Sequence, residues 1–149
     1  MDRIAGGPRE SRTLGEIVEL RVGATLTQLP LVRSFAGTIA MREDYDVDAI
    51  ADLKLAVDEA CTILVKRALP WSTLSCRFTV GGSGIRFSCS VPVLDTTPID
   101  QRSLGWAMLM ALVESVSTTV TPDGHTEHSA EDGLTELVID LLVPTKGQA

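Results

Sequence analysis

Positive charge is scarce in this sequence. There are 13 Lys and Arg against 20 Asp and Glu, a formal net charge of −7. Nucleic-acid phosphates would be repelled by such a chain, so direct DNA binding is not expected, while a basic protein partner is allowed. Long apolar runs are missing too. None approaches the roughly 18 residues that a membrane span needs, so no membrane role is expected. Cysteine is sparse, with 3 residues at Cys61, Cys76 and Cys89. Their spacing fits no zinc pattern and their number is odd, which suggests reduced thiols in a cytoplasmic protein. No phosphate loop is present: the glycine-rich piece GGSG at 81–84 precedes no Lys-Ser/Thr. No Gly-x-Ser-x-Gly occurs, and both histidines lie in one segment, so no Ser-His-Asp or Cys-His arrangement can be drawn. Internal repeats and low-complexity tracts are absent.

What is there suits one domain. The chain has 149 residues, 44% of them hydrophobic, enough for one compact core and too few for two. The opening MDRIAGGPRESRT is polar and lacks an apolar centre, so residues 1–14 are expected to form a flexible tail and not a signal. Residues 15–144 are expected to form the domain, and 145–149 a second tail.

Residues 16–22 (EIVELRV) alternate as a strand does. Thr25 or Thr27 can cap a helix to about Arg42, with Pro30 in its first turn. Leu31, Phe35, Ala36 and Ile39 recur at helical spacing there. Asp46 or Asp48 can cap a second helix running to about Leu69, ahead of Pro70. Residues 73–80 and 85–91 read as strands joined by the 81–84 turn. A loop at 95–101, a helix at 103–115, a strand at 117–121, a polar loop at 122–133 and a last strand at 134–143 follow. That order suggests an α/β fold of the α+β two-layer sandwich type, with a mixed, mostly antiparallel sheet and helices on one face.

The second helix is the most informative element. On a wheel of about 100° per residue, Ile50, Leu53, Val57, Cys61 and Leu64 make one apolar stripe, expected to be core. Glu59 points to the opposite side with Asp52, Leu55, Ile63 and Lys66. That second face reads either as plain surface with two stray apolar residues or as a contact surface. In the polar loop, His125 and His128 form an H-x-x-H beside Glu127, Glu131 and Asp132, read as solvated loop and not as a metal site. Trp106 begins an apolar stretch, Met108, Leu109, Met110 and Leu112, expected to be mostly core.

The piece AVDEACTILVKRA at 56–68 resembles the N-box helix of the RsbW-like anti-sigma factors of actinobacteria, mycobacterial-type serine-protein kinases of the GHKL (histidine kinase-like, Bergerat) ATPase superfamily. In that family the helix reads roughly Glu-Ala-x-Thr-Asn-Ala. Glu59, Ala60 and Thr62 match, and Ile63 replaces the Asn. Arg33 lies 26 positions before Glu59, the offset of an Arg that in the sporulation member contacts both the sigma factor and its antagonist. The piece SLGWAMLMALVESV at 103–116 resembles the second glycine-box helix, with Gly105 and Trp106 matching and Ser103 in place of the first glycine. The order of elements agrees over about residues 16–143.

The resemblance implies a role for each matching residue. The N-box Glu is a general base toward an attacking serine hydroxyl, which makes Glu59 the candidate base, retained or vestigial. The N-box Asn gives an oxygen to Mg²⁺, and Ile63 has none to give. The adenine-recognising Asp would be Asp95, with Thr97 and Ile99 where glycines should stand. Residues 96–102 are too short for the usual lid. Phosphoryl transfer rests on positioning and metal electrostatics, so no cofactor is expected, with ATP and Mg²⁺ bound only if the nucleotide site works.

The family therefore implies an anti-sigma factor that inhibits a stress-response (SigF/SigB-like) sigma factor and is released by an anti-anti-sigma factor with a STAS domain. Arg33 and the acidic Glu43, Asp44, Asp46 and Asp48 would meet the partner, and Asp95 and Gly105 any nucleotide. A homodimer involving the first sheet edge is implied as well. An active serine/threonine kinase acting on the anti-anti-sigma factor is the alternative, and an unrelated α/β domain that only echoes the motifs is a third reading.

Overall fold

The computed structural model describes residues 16–122 and 134–145. Its elements are β1 (Glu16–Gly23), a 3-10 turn (Leu26–Gln28), α1 (Leu29–Arg42), α2 (Val47–Val65), β2 (Thr73–Gly81), β3 (Gly84–Val93), α3 (Leu104–Leu112), β4 (Ser115–Thr121) and β5 (Thr135–Pro144). The strands form one sheet in the order β1-β2-β3-β5-β4. All four pairings are antiparallel. The architecture is the two-layer α+β sandwich that the order of elements suggests, with a sheet more uniform than the mixed one expected. The segment holding His125 and His128 lies outside the described residues, as do most of both tails.

Strand alternation assigns one sheet face to the core. Leu74, Cys76, Phe78 and Val80 of β2 are buried, as are Ile85, Phe87, Cys89, Val91 and Val93 of β3 and Leu137, Ile139, Leu141 and Val143 of β5. Phe78 and Phe87 face each other across β2 and β3 with ring centroids 4.8 Å apart. The opposite face carries Ser75, Arg77, Thr79, Arg86, Ser88, Ser90 and Asp140 around a shallow polar cavity of about 300 Å³. Cys76 and Cys89 are also directly opposed, and Cys61 of α2 belongs to the same buried cluster. All three thiols are free and buried, and burial pushes the Cys89 thiol up.

α1 starts later than expected. Thr25 precedes the 3-10 turn without a side-chain cap bond, its hydroxyl spent on Thr27 at 2.9 Å, and α1 opens after Gln28 with Pro30 in its first turn. Its buried face is Leu29, Val32, Ala36, Gly37, Ile39 and Ala40. The small residues let α1 lie close on α2: a Cβ at Gly37 would stand 3.1 Å from the Lys54 side chain. Leu31 is therefore turned away from the core and is 52% exposed, with Phe35 only half-covered against Phe78.

α2 is capped by Asp46, whose carboxylate accepts from the Ala49 N–H at 2.8 Å. Its buried stripe is Leu53, Ala56, Val57, Ala60, Cys61 and Leu64, and Ile50 packs against the same core. Burying each Leu contributes about 1.5–3 kcal/mol. The helix ends at Val65, short of the expected Leu69. The Leu69 N–H leaves the helical pattern to bond the Pro92 carbonyl of β3 at 3.0 Å, and Trp71 then turns the chain at φ +63°. The β2–β3 turn closes Gly81 on Gly84. Gly84 has φ +133° and lies so near Val143 that a Cβ would fall 2.2 Å from its carbonyl oxygen, so only glycine fits. α3 ends at Leu112 because Ser115 already pairs with Leu142 in β4.

Candidate functional site

α2 and α3 bring the two best-matched motif residues together. Glu59 is five residues before Leu64, the end of the core stripe, and lies against the first turn of α3. Gly105 faces it: a Cβ at that position would stand 2.6 Å from Glu59 Oε2 and 3.5 Å from Ile63 Cδ1. The absence of a side chain at 105 is what lets the carboxylate lie there. Glu59 makes no hydrogen bond or ion pair with the described residues, and it is partly buried. Ser103 caps α3, accepting from the Trp106 N–H at 3.2 Å. Trp106 itself is 2% exposed and belongs to the core, not to a ligand space.

Ile63 follows Glu59 by one turn and packs on the core edge. It presents Cδ1 toward Gly105, so the position next to the carboxylate is apolar. No oxygen donor stands there.

Asp95 sits at the far end of α2. Its carboxylate accepts from the Thr97 N–H at 2.9 Å, and Arg67 reaches the Asp95 and Thr97 carbonyls at 2.9 and 2.5 Å. Arg67 also lies 3.8 Å from Asp95 Oδ2. Hydrogen bonds from Thr97, and then the Arg67 charge, hold the Asp95 carboxyl below the usual range. The loop is thus closed on itself, and Arg67, which the sequence reading overlooked, is its clamp.

Arg33 is presented from α1 by a second overlooked residue. Its Nη1 donates to Asp58 Oδ1 at 2.7 Å, with both side chains about one-third exposed (38% and 34%). Asp58 is the neighbour of Glu59, so the ion pair ties Arg33 to the same helix. Only its position as a charged residue opposite Arg33 on two packed helices could have disclosed it. Glu43 and Asp44 are exposed in the α1–α2 turn, with Asp44 at φ +59°. Asp46 and Asp48 are exposed there as well, Asp46 with its carboxylate engaged in capping. On another face of α1, the exposed Leu31 and Phe35 line an apolar groove of about 290 Å³ with Val18, Thr38, Ile39 and Arg42.

No protein-family model matches the chain. It is 38% identical over 112 residues to the anti-sigma-F factor RsbW of Mycobacterium tuberculosis, in strain CDC 1551 / Oshkosh and in strain H37Rv alike. The match spans 74% of this chain and 67% of the relative. The chain belongs to the RsbW-like anti-sigma factor family. The Glu59–Gly105 contact joins α2 to α3, the two helices that carry the family-like motifs. Among the described residues no cluster of His, Cys, Asp and Glu could hold a metal ion, and no described helix is long and apolar enough to cross a membrane.

Proposed function

We propose that this protein is a cytoplasmic anti-sigma factor that holds a stress-response sigma factor by surface contact alone, without a working nucleotide site. The observation that carries the reading is Ile63. A Mg²⁺–nucleotide site needs hard oxygen ligands, and next to Glu59 the chain offers a methyl group. The rest of the expected equipment fits no better. The Asp95 carboxylate is engaged by Thr97 and faces Arg67, and Thr97 stands where a glycine would let the backbone approach a nucleotide.

The binding surface is α1 with the turn after it. It offers Arg33, oriented by Asp58, on the side facing α2, an apolar groove at Leu31 and Phe35, and an acidic turn with Glu43, Asp44 and Asp46. That combination suits a partner with a basic, partly apolar surface. Release follows from an anti-anti-sigma factor competing for the same surface, and the chain acts as a homodimer.

The test is co-elution of the purified protein with a stress-response sigma factor in the absence of nucleotide. A complex should form, should be unchanged by Mg²⁺–ATP, and should weaken with Arg33→Ala. No complex without ATP sinks the proposal. Glu59 favours a second reading, because an unpaired carboxylate is retained where a base would act. Transfer of labelled phosphate to the anti-anti-sigma factor, abolished by Glu59→Ala, would install the kinase reading instead.

A further inference from the structure

The strand registers fix the layout of the helix-free face. Arg77 of β2 stands opposite Glu19 of β1 and opposite Ser88 of β3, and Ser88 stands opposite Asp140 of β5. Side chains alternate along a strand, so Arg86 and Ser90 flank Ser88 on the same face of β3. β3 is the middle strand of the sheet. These residues line the shallow cavity of about 300 Å³.

The charges of this face fall into two kinds. Arg77 donates from Nε and Nη2 to Glu19 Oε2 at 3.0 and 2.8 Å, and the two charges cancel. Arg86 and Asp140 stay apart. They occupy a diagonal of the β3–β5 ladder, where positions lie about 7–8 Å from each other. A long arginine side chain spans such a gap, yet neither group forms an ion pair or a hydrogen bond among the described residues. Asp140 is partly buried, so its carboxylate has lost part of its hydration without gaining a protein donor. The hydroxyls of Ser75, Ser88 and Ser90, which line the same cavity, form no hydrogen bond among the described residues either.

One face of an antiparallel sheet is commonly left to water. That accounts for the hydroxyls. It does not account for a cation and an anion set side by side and left unpaired, on a face where Arg77 and Glu19 do close. A ligand bearing both signs completes them. A guanidinium fork holds a carboxylate at two points, and an aspartate accepts from an ammonium. In an α-amino acid both groups hang on one carbon, so a single molecule bridges Arg86 and Asp140 across Ser88. The cavity volume falls at the small end of the range for ligand sites, which suits one amino acid with a short side chain.

We infer that the helix-free face binds a free α-amino acid of small side chain, its carboxylate on Arg86, its ammonium on Asp140, and Ser88 and Ser90 at its remaining polar atoms. The site is independent of the sigma-factor reading. α1 and α2 pack on the other face of the sheet, so this ligand and a protein partner on α1 occupy opposite sides of the molecule.

Nuclear magnetic resonance of the isotope-labelled full chain tests the site, with glycine, L-alanine and L-serine each titrated to about 10 mM, a range that covers the weak affinity of a few polar contacts in an open cavity. At least one of the three should move the amide signals of residues 86–90 and 138–142. Two analogues of serine separate the charges: glycerate has a hydroxyl in place of the ammonium, and ethanolamine lacks the carboxylate. Each should bind roughly tenfold more weakly than serine. Arg86→Gln and Asp140→Asn should each weaken serine binding by a similar factor, and signals remote from the cavity report that the variants are folded. In Asp140→Asn the preference for serine over glycerate should disappear, which a merely structural role for Asp140 would not produce. No movement of these signals with any of the three amino acids overturns the inference. So does equal binding of serine, glycerate and ethanolamine, or binding indifferent to both substitutions.

Discussion

The Glu59 carboxylate occupies the space that a side chain at Gly105 would need, with Oε2 2.6 Å from the position of an added Cβ. This contact is where α2 and α3 meet at the site. The glycine thus gives room to the Glu59 carboxylate and does not serve helix α3, where glycine is unfavourable by about 0.5–1 kcal/mol relative to alanine.

A double-mutant cycle follows from that. Gly105→Ala alone should change stability little, because the helix gain offsets the displacement of a flexible carboxylate. In a Glu59→Ala background the same change should stabilise by about 0.5–1 kcal/mol. Urea denaturation of the four proteins checks it. Equal effects of Gly105→Ala in both backgrounds would mean the two residues do not meet.

Arg33 and Asp58 form a pair at 2.7 Å with both side chains about one-third exposed. Such pairs contribute about 0.2–1 kcal/mol and weaken with salt. The coupling energy from Arg33→Ala, Asp58→Ala and the double variant should fall in that range at low salt. Its larger consequence is for binding. If Asp58 orients Arg33 toward a partner, Asp58→Ala should weaken sigma-factor capture in the same direction as Arg33→Ala, and by less. Calorimetric titration distinguishes this from an Asp58 that competes with the partner for Arg33, where Asp58→Ala would tighten binding.

The elements of this fold were legible because their signals are local. Alternation marked β1, the Asp46 cap and the Leu53-Val57-Cys61-Leu64 stripe marked α2, and GGSG marked the hairpin. Helix ends were less legible because tertiary bonds decide them. α2 stops when the Leu69 N–H finds Pro92, a residue 23 positions away. In α1 the spacing of Leu31 and Phe35 fits a buried face, yet Val32, Ala36, Gly37 and Ala40 won the core since close approach to α2 rewards small residues. At the site, Glu59 and Gly105 could be paired through the family pattern. Arg67 and Asp58 could not, because each acts across two elements whose docking no local pattern specifies.

Tyr45 lies in the turn before α2 and is buried. Its hydroxyl donates to the Val143 carbonyl at 2.9 Å and accepts from the Ile85 N–H at 3.2 Å. One side chain thereby ties the α1–α2 turn to β3 and β5. Tyr45→Phe keeps the ring and strands both backbone groups. It should cost about 1–3 kcal/mol, read as a lower urea midpoint with an unchanged slope. A neutral substitution would show that water reaches both groups.

Asp95 gives a pH prediction whose sign is set by its environment. Bonds from Thr97 and the charge of Arg67 depress its carboxyl in the folded state. A depressed folded value means that the unfolded chain takes up the proton first as pH falls. The stabilisation is therefore complete above the unfolded aspartate value of about 3.9 and is lost as pH drops through the folded value. Asp95→Asn keeps an acceptor for the Thr97 N–H but removes the charge. It should be less stable than the unaltered protein at pH 7, and the difference should shrink below about pH 4 and vanish in stronger acid. Urea unfolding of both proteins across that range measures it. A difference that persists unchanged into acid would mean the Asp95 charge takes no part in holding the 95–97 loop against Arg67.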